Sequence, residues 1–438
     1  MPALTWSSCG ERPEQSLYLP CVGSPERQAR GADVLAYIIG VVLFALCVGV
    51  SLALHEAGHL LTAKAFGMKV RRYFVGFGPR VFSFRRGETE YGLKAIPVGG
   101  FCEIAGMTAL DEVDPKDEPR AMWRQKTWKR TVVMATGPFT HFLLGFVVLY
   151  TMAVTFGLPN LAEKPVLSTV SSCVHDATTT EQLANPACRP GETGPAQAAG
   201  LRPGDEVLSV GGVTTSTWSA MVDEIQRADG PTPFVVRRGD ETLRVTVDVP
   251  RVDRPVTDSD GEATVAQVGV AGVTATRSFD YGAWSAIGGT ATFAGDMFAQ
   301  TFEKLVEFPQ RIPAVVEAIF GGERDPETPV SVVGASRIGG EAVEAGLWQV
   351  FLLLLAGLNF FMGVFNLLPL LPLDGGHIAV TWYEHVRNWL RDRRGKTAAA
   401  PVDYTRLSGI TMVLVMIGGA VLLLTVTADI VNPIRITQ

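Results

Sequence analysis

The chain reads as a polytopic α-helical membrane protein with about four transmembrane helices, an inserted extracytoplasmic α+β domain, and a small cytoplasmic, membrane-associated β-hairpin region. Three observations predict this class. Four long apolar stretches are present, Lys and Arg are shared unevenly among the segments between them, and one long segment carries a strand, helix, strand, strand pattern. The 438 residues are 47% hydrophobic, and the mean hydropathy of +0.22 is high for a purely soluble enzyme.

The apolar stretches are Val34–Ala63, Thr131–Leu158, Gly346–Leu373 and Leu407–Ala428, in which Glu56 is the sole Asp, Glu, Lys or Arg. Each is long enough for a bilayer, which needs roughly 20 residues of helix. Most are too long for the alternative, a buried core helix. Fourteen Lys and Arg lie from Lys64 to Arg130 and six from Arg387 to Arg406. The positive-inside rule makes both of these loops cytoplasmic.

The expected order follows from those spans. Residues 1–33 form a flexible extension without a signal-peptide core, and 34–66 form the first transmembrane helix. Residues 67–130 are a cytoplasmic basic loop and 131–158 the second transmembrane helix. Residues 159–280 are the extracytoplasmic domain with flanking strands, and 281–345 are amphipathic helices on the outer face. Residues 346–380 are the third transmembrane helix, 381–406 a second cytoplasmic basic loop, 407–428 the fourth helix, and 429–438 a tail. A formal net charge of −6 gives no sign of a nucleic-acid partner.

Within the first loop, Arg72-Tyr73-Phe74-Val75 and Arg80-Val81-Phe82-Ser83-Phe84 are punctuated by glycines and predict small β-hairpins. Gly99 to Met107 is apolar apart from Glu103 and is expected to dip toward the membrane as a re-entrant loop. In the outer segment, strands are expected around Glu206–Val210, Pro233–Arg238 and Leu243–Val247, with a helix over Trp218–Arg227. The turn Gly200-Leu201-Arg202-Pro203-Gly204-Asp205 resembles the PDZ domains of envelope proteases, over about residues 165–250. Cys173 and Cys188 both fall in this segment, where one bridge is as compatible with the compartment as two thiols; Cys47 and Cys102 read as structural.

The chemistry centres on His55-Glu56-Ala57-Gly58-His59. On a helix, i and i+4 share a face, so the two histidines can hold one metal while Glu56 points beside it toward a water. A hydrolytic zinc keeps three protein ligands and one open position. Ionisable groups inside a span are costly and read as functional, against the bland alternative of a polar patch between helices. Asp374, in Leu371-Pro372-Leu373-Asp374-Gly375-Gly376-His377, is the expected third ligand: the prolines break the helix and the glycines allow a turn back toward the metal. Its bland alternative is a helix cap. His377 competes for the position but also suits a supporting hydrogen bond.

HExxH in the first span, Gly137-Pro138 in the second and Leu373-Asp374-Gly375-Gly376 in the third together resemble site-2 proteases, from about Val34 to the C-terminus. Val75-Gly76-Phe77-Gly78-Pro79 and Ser331-Val332-Val333-Gly334-Ala335-Ser336 resemble the actinobacterial members that perform regulated intramembrane proteolysis. The resemblance implies one Zn2+ held by His55, His59 and Asp374, with Glu56 as general base. It implies Asn366 near the substrate backbone or oxyanion, or else in an interhelical hydrogen bond, with Asn359 structural. It implies an extended substrate laid along Val98-Gly99-Gly100-Phe101, although these glycines also suit simple turns. It further implies single-pass transmembrane substrates, especially anti-sigma factors, cut within the bilayer of the plasma membrane after a first outer-side cleavage. The PDZ-like domain would then filter substrates by size or bind peptide. The chain departs from the family pattern at His141, where Gly-Pro is usually followed closely by Asn; an imidazole there is expected to keep that hydrogen bond or to alter pH dependence.

Two other classes compete. A transporter with broken helices would carry an inverted repeat, and none is apparent. A PDZ-bearing scaffold without turnover would be expected to lack part of the set His55, Glu56, His59 and Asp374, all of which are present.

Overall fold

A computed structural model describes residues 25–436 apart from 109–110, 180–181, 184–187, 258–262 and 326. Most of the expected N-terminal extension therefore lies outside the described residues. The chain divides into two compact units, one of residues 1–134, 307–355 and 369–438, the other of 135–306 and 356–368. Among the described residues, four helical segments are long and apolar enough to cross a membrane: Asp33–Ala65, Thr127–Thr155, Trp348–Asn366 and Leu407–Val431.

In the first unit, α1 (Pro25–Ala65) begins earlier than the span expected from residue 34. It is followed by β1 (Val70–Arg86) and β2 (Thr89–Ile104), an antiparallel pair. The strands fold back on themselves, so that Tyr73 registers with both Cys102 and Tyr91, and Val75 with both Gly100 and Leu93. One layered sheet thus replaces the separate small hairpins. The stretch from Gly99 to Ile104, expected to dip toward the membrane, is strand within it, its backbone groups paired with β1. Arg120 anchors the turn of this hairpin through two 2.6 Å hydrogen bonds to Glu88, holding that carboxyl down at about 2.

Helix α2 (Thr127–Thr155) carries Pro138 inside it and runs from this unit into the second. There an α+β module follows, containing β3 (Leu158–Pro159), β4 (Leu167–Val170), α3 (Pro195–Ala198), β5 (Glu206–Val210), β6 (Val213–Thr214), α4 (Trp218–Arg227), β7 (Gly230–Arg238) and β8 (Glu241–Val249). The sheet order is β6-β5-β7-β8. Thr217 caps α4 by accepting from the Ala220 amide at 3.2 Å, and Met221 and Ile225, four apart, turn inward onto Val207, Phe234 and Val236. Three further pairs complete the module: β9 (Arg251–Thr257) with β10 (Ala263–Gly269), β11 (Val273–Ala275) with β4, and β12 (Ser278–Phe279) with β3. Cys173 and Cys188 are bridged.

Helix α5 (Ala283–Ile319) leads back to the first unit, where α6 (Val332–Glu344) differs from the surface helix expected within 281–345. Its Gly334, Ala335, Ser336, Gly339, Gly340 and Ala342 are buried. A Cβ on Gly340 would lie 2.5 Å from Val41 and 2.9 Å from the Tyr37 carbonyl oxygen, so α1 and α6 touch backbone to side chain along a strip of small residues. The expected third span is also divided. Helix α7 (Trp348–Asn366) ends before Pro369 and Pro372, and a separate α8 (Asp374–Asp392) follows, then α9 (Tyr404–Val431). Proline supplies no amide to continue a helix, which accounts for the break.

In the α+β module, the fully buried Asp205 accepts from Arg238 at 2.7 and 2.8 Å and from the Arg202 amide at 2.9 Å. Burial alone would raise its pKa, but the guanidinium and the amide outweigh it and hold the carboxyl below the usual aspartate range. Its stabilisation is therefore complete above about pH 4 and is lost as pH falls toward the folded value. Asp205→Asn should cost about 2 kcal/mol at pH 7 and flatten the loss of stability between about pH 5 and 3. Hydrogen exchange of the β5 amides at both pH values measures this, and an unchanged acid sensitivity would remove Asp205 as its source.

Candidate metal centre

The first unit brings His55, His59 and Asp374 together. His55 and His59 stand one turn apart on α1, both buried, with Nε2 atoms 3.2 Å from each other. Asp374 is the first residue of α8, and its Oδ2 lies 3.2 Å from His55 Nε2 and 3.4 Å from His59 Nε2. A carboxylate in the first turn also faces the positive end of its own helix. The turn that delivers it is tight: a Cβ on Gly376 would lie 2.6 Å from the Leu370 carbonyl carbon and the Leu371 nitrogen, so only glycine fits where α8 starts.

This donor set fits one zinc ion. His59 Nδ1 is 2.8 Å from the Val133 carbonyl, which can only accept, so Nδ1 carries the proton and Nε2 presents a lone pair. Two imidazole nitrogens and a carboxylate oxygen thus converge within 3.2–3.4 Å of one another. A tetrahedral ion with arms of about 2.0–2.1 Å has donor-to-donor edges of about 3.3–3.4 Å, and nitrogen and carboxylate donors suit zinc. His377 stands apart from this cluster; its ring stacks on Tyr404 with centroids 6.1 Å apart.

Glu56 sits between the histidines in sequence, and strand β2 runs beside it. Gly100 passes close by, since a Cβ there would lie 3.2 Å from Glu56 Cγ and 2.9 Å from the Phe74 carbonyl oxygen. Gly99 is left-handed at φ +82°. Asn366, in the second unit, donates its amide to the Met362 carbonyl at 3.0 Å within α7. In the same unit the buried His141 Nδ1 lies 3.1 Å from Asn359 Oδ1, so the imidazole makes a hydrogen bond between α2 and α7.

Residues 43–409 match the family described as Peptidase family M50. The chain belongs to this family. It is 47% identical over 407 residues to zinc metalloprotease Rip1 of Mycolicibacterium smegmatis, covering 91% of this chain and 99% of that one. It is 45% identical over 412 residues to zinc metalloprotease Rip1 of Mycobacterium tuberculosis, covering 92% and 100%. Metalloprotease MmpA of Caulobacter vibrioides is 26% identical over 375 residues, covering 81% and 88%. The M50 chain is accordingly a zinc metalloprotease, and the resemblance to site-2 proteases read from its motifs holds.

The supports of this M50 site carry no sequence motif. Val133 acts through its carbonyl, which no side-chain motif reveals. Three residues before it, the largely buried Arg130 donates to Glu384 of α8 at 3.1 Å. One stretch of α2 thus touches both ligand-bearing helices, orienting His59 with its backbone and holding the helix of Asp374 with a charge.

Asp374→Ala should reduce zinc from about one ion per chain to near zero by elemental analysis, and retention of a full equivalent would exclude the carboxylate from the site. Glu384→Gln should weaken zinc retention against a chelator by roughly 10-fold. The Arg130→Glu, Glu384→Arg exchange should recover part of that loss, whereas unchanged retention in the single variant would make the pair irrelevant to the metal.

Proposed function

We propose that the protein is an intramembrane zinc metalloendopeptidase that cuts a peptide bond within the transmembrane segment of single-pass membrane regulators, especially anti-sigma factors. On this reading a first protease removes the substrate's outer part, and the second cut releases a cytoplasmic signalling fragment. The observation that carries it is the convergence of His55 Nε2, His59 Nε2 and Asp374 Oδ2, with Glu56 beside it, on helices that include membrane-length spans. Loops 67–130 and 381–406 are taken as cytoplasmic from their Lys and Arg content, and the α+β module as a PDZ-like extracytoplasmic domain that admits shortened substrates.

His55, His59 and Asp374 are assigned as ligands. Zinc, when bound, supplies a water nucleophile at neutral pH and polarises the scissile carbonyl. Glu56 takes the water's proton on its carboxylate and returns it to the leaving amine. A helical substrate hides its carbonyls in its own hydrogen bonds, so the segment must unwind, and an extended backbone can then run along β2 at Gly99 and Gly100. The nearness of Gly100 to Glu56 supports this path.

Glu56→Gln should keep about one zinc per chain and lose on the order of 10²-fold or more in cleavage. Co-expression with a tagged single-span reporter lacking its outer domain, followed by blotting for the shorter cytoplasmic fragment, reads the outcome. Equal fragment from variant and wild type would overturn the assigned base, and no fragment from either would favour a substrate-binding scaffold.

A further inference from the structure

Helix α8 continues well beyond Asp374, and its outward side is apolar. Trp382, Tyr383, Val386, Trp389 and Leu390 are 43–60% exposed. Their spacing of i, i+1, i+4, i+7 and i+8 places them on one helical face. The opposite side holds Thr381, which is buried, and Glu384, which turns inward to Arg130. The end of the helix and the residues after it are basic: Arg387, Arg391, Arg393, Arg394 and Lys396, with Asp392 as the acidic exception. Arg387 lies over the Tyr383 ring at 5.7 Å and Arg393 over the Trp389 ring at 4.1 Å, which keeps these cations beside the apolar face.

Independent contacts fix the level of this helix. The membrane-length segment of α2 begins at Thr127, whose hydroxyl lies 3.3 Å from His385 Nδ1. Next to it, Trp128 is 53% exposed and Lys129 lies over both Trp128 and Phe66. The chain leading into α9 is tied to the same place, with the Val402 amide donating to Glu384 at 2.8 Å and Arg387 donating to the Ala400 carbonyl at 2.6 Å. Two membrane-length helices therefore start where α8 is halfway along. Trp382 and Trp389 lie within four residues of His385 and so within about 6 Å of that level, at 1.5 Å per residue, and this is the level at which tryptophan and tyrosine settle in a bilayer.

We infer that the second half of α8 is an interfacial helix that binds anionic lipid headgroups, its aromatic face seated at the acyl boundary and Arg393, Arg394 and Lys396 meeting phosphate. Charge complementarity selects the occupant: aromatic and aliphatic residues alone would suit any lipid, but a basic cluster at their edge gains from negative headgroups. Because the same helix begins with Asp374, its seating on the bilayer also steadies the carboxylate that faces His55 and His59. The inference draws on the proposed orientation only for which leaflet is bound.

The test places the full chain in nanodiscs of phosphatidylcholine containing phosphatidylglycerol, with bromine on the acyl chains of one lipid or the other, and records tryptophan fluorescence. At equal mole fraction, brominated phosphatidylglycerol should quench at least about two-fold more than brominated phosphatidylcholine, and salt should reduce the difference. Arg393→Gln, Arg394→Gln and Lys396→Gln together should abolish the preference, while Trp382→Phe with Trp389→Phe should shrink it to what the remaining tryptophans, Trp128 among them, report. Equal quenching by the two lipids in the wild type, or a preference that survives the triple substitution, overturns the inference. Neither result depends on proteolysis, so failure here leaves the protease reading intact.

Discussion

The structure depends on one constraint: two imidazoles and a carboxylate must be held with their lone pairs converging in apolar surroundings. Such groups repel one another and lose hydration, so each needs a partner that leaves its inward atom free. His59 has the Val133 carbonyl on Nδ1, and Asp374 has the start of its own helix. Those partners lie on α2 and α8, which makes the packing of these helices against α1 a condition of the site rather than a background to it. The buried Arg130 and Glu384 pair is placed where it enforces that condition.

The sheet of β1 and β2 answers a related problem. Glu56 must stand beside the metal site yet keep a defined direction, and a carboxylate on a helix face has several rotamers to choose from. The sheet limits that freedom by passing beside Glu56 at Gly100, and Tyr73 ties the sheet back to α1 by donating to the Ala53 carbonyl at 2.7 Å. Sheet and helix are thereby fastened just before His55 and held together at Glu56. A glycine at position 100 is then required by space, since a side chain would meet the Phe74 carbonyl.

Much of this was legible because it rests on local chemistry. The histidine spacing, the Pro369 and Pro372 break and the strand, helix, strand, strand order of the module each follow from short-range rules, and β5, α4, β7 and β8 lie within a few residues of where periodicity put them. The features that were missed are set by distant partners. Helix α6 has a polar enough sequence to pass for a surface helix, and its burial depends on glycines that matter only once Tyr37 and Val41 are opposite. The Gly99 to Ile104 strand looked like a loop because its apolar run does not alternate, and its pairing with β1 is imposed by the neighbouring strand. Val133 was invisible because a backbone carbonyl has no sequence signature.

Charge balance explains why this particular donor set suits its surroundings. On the proposed assignment, a divalent ion would meet one ligand carboxylate, Asp374, and one adjacent carboxylate, Glu56, with both histidines neutral. The sum is zero, which matters in a low-dielectric interior where an unbalanced charge is expensive. Replacing Asp374 by a third neutral imidazole would leave the centre positive, and a second ligand carboxylate would leave it negative while competing with Glu56 for the proton of the water. One carboxylate that binds and one that transfers protons is the combination that keeps the site neutral and leaves a base free to act.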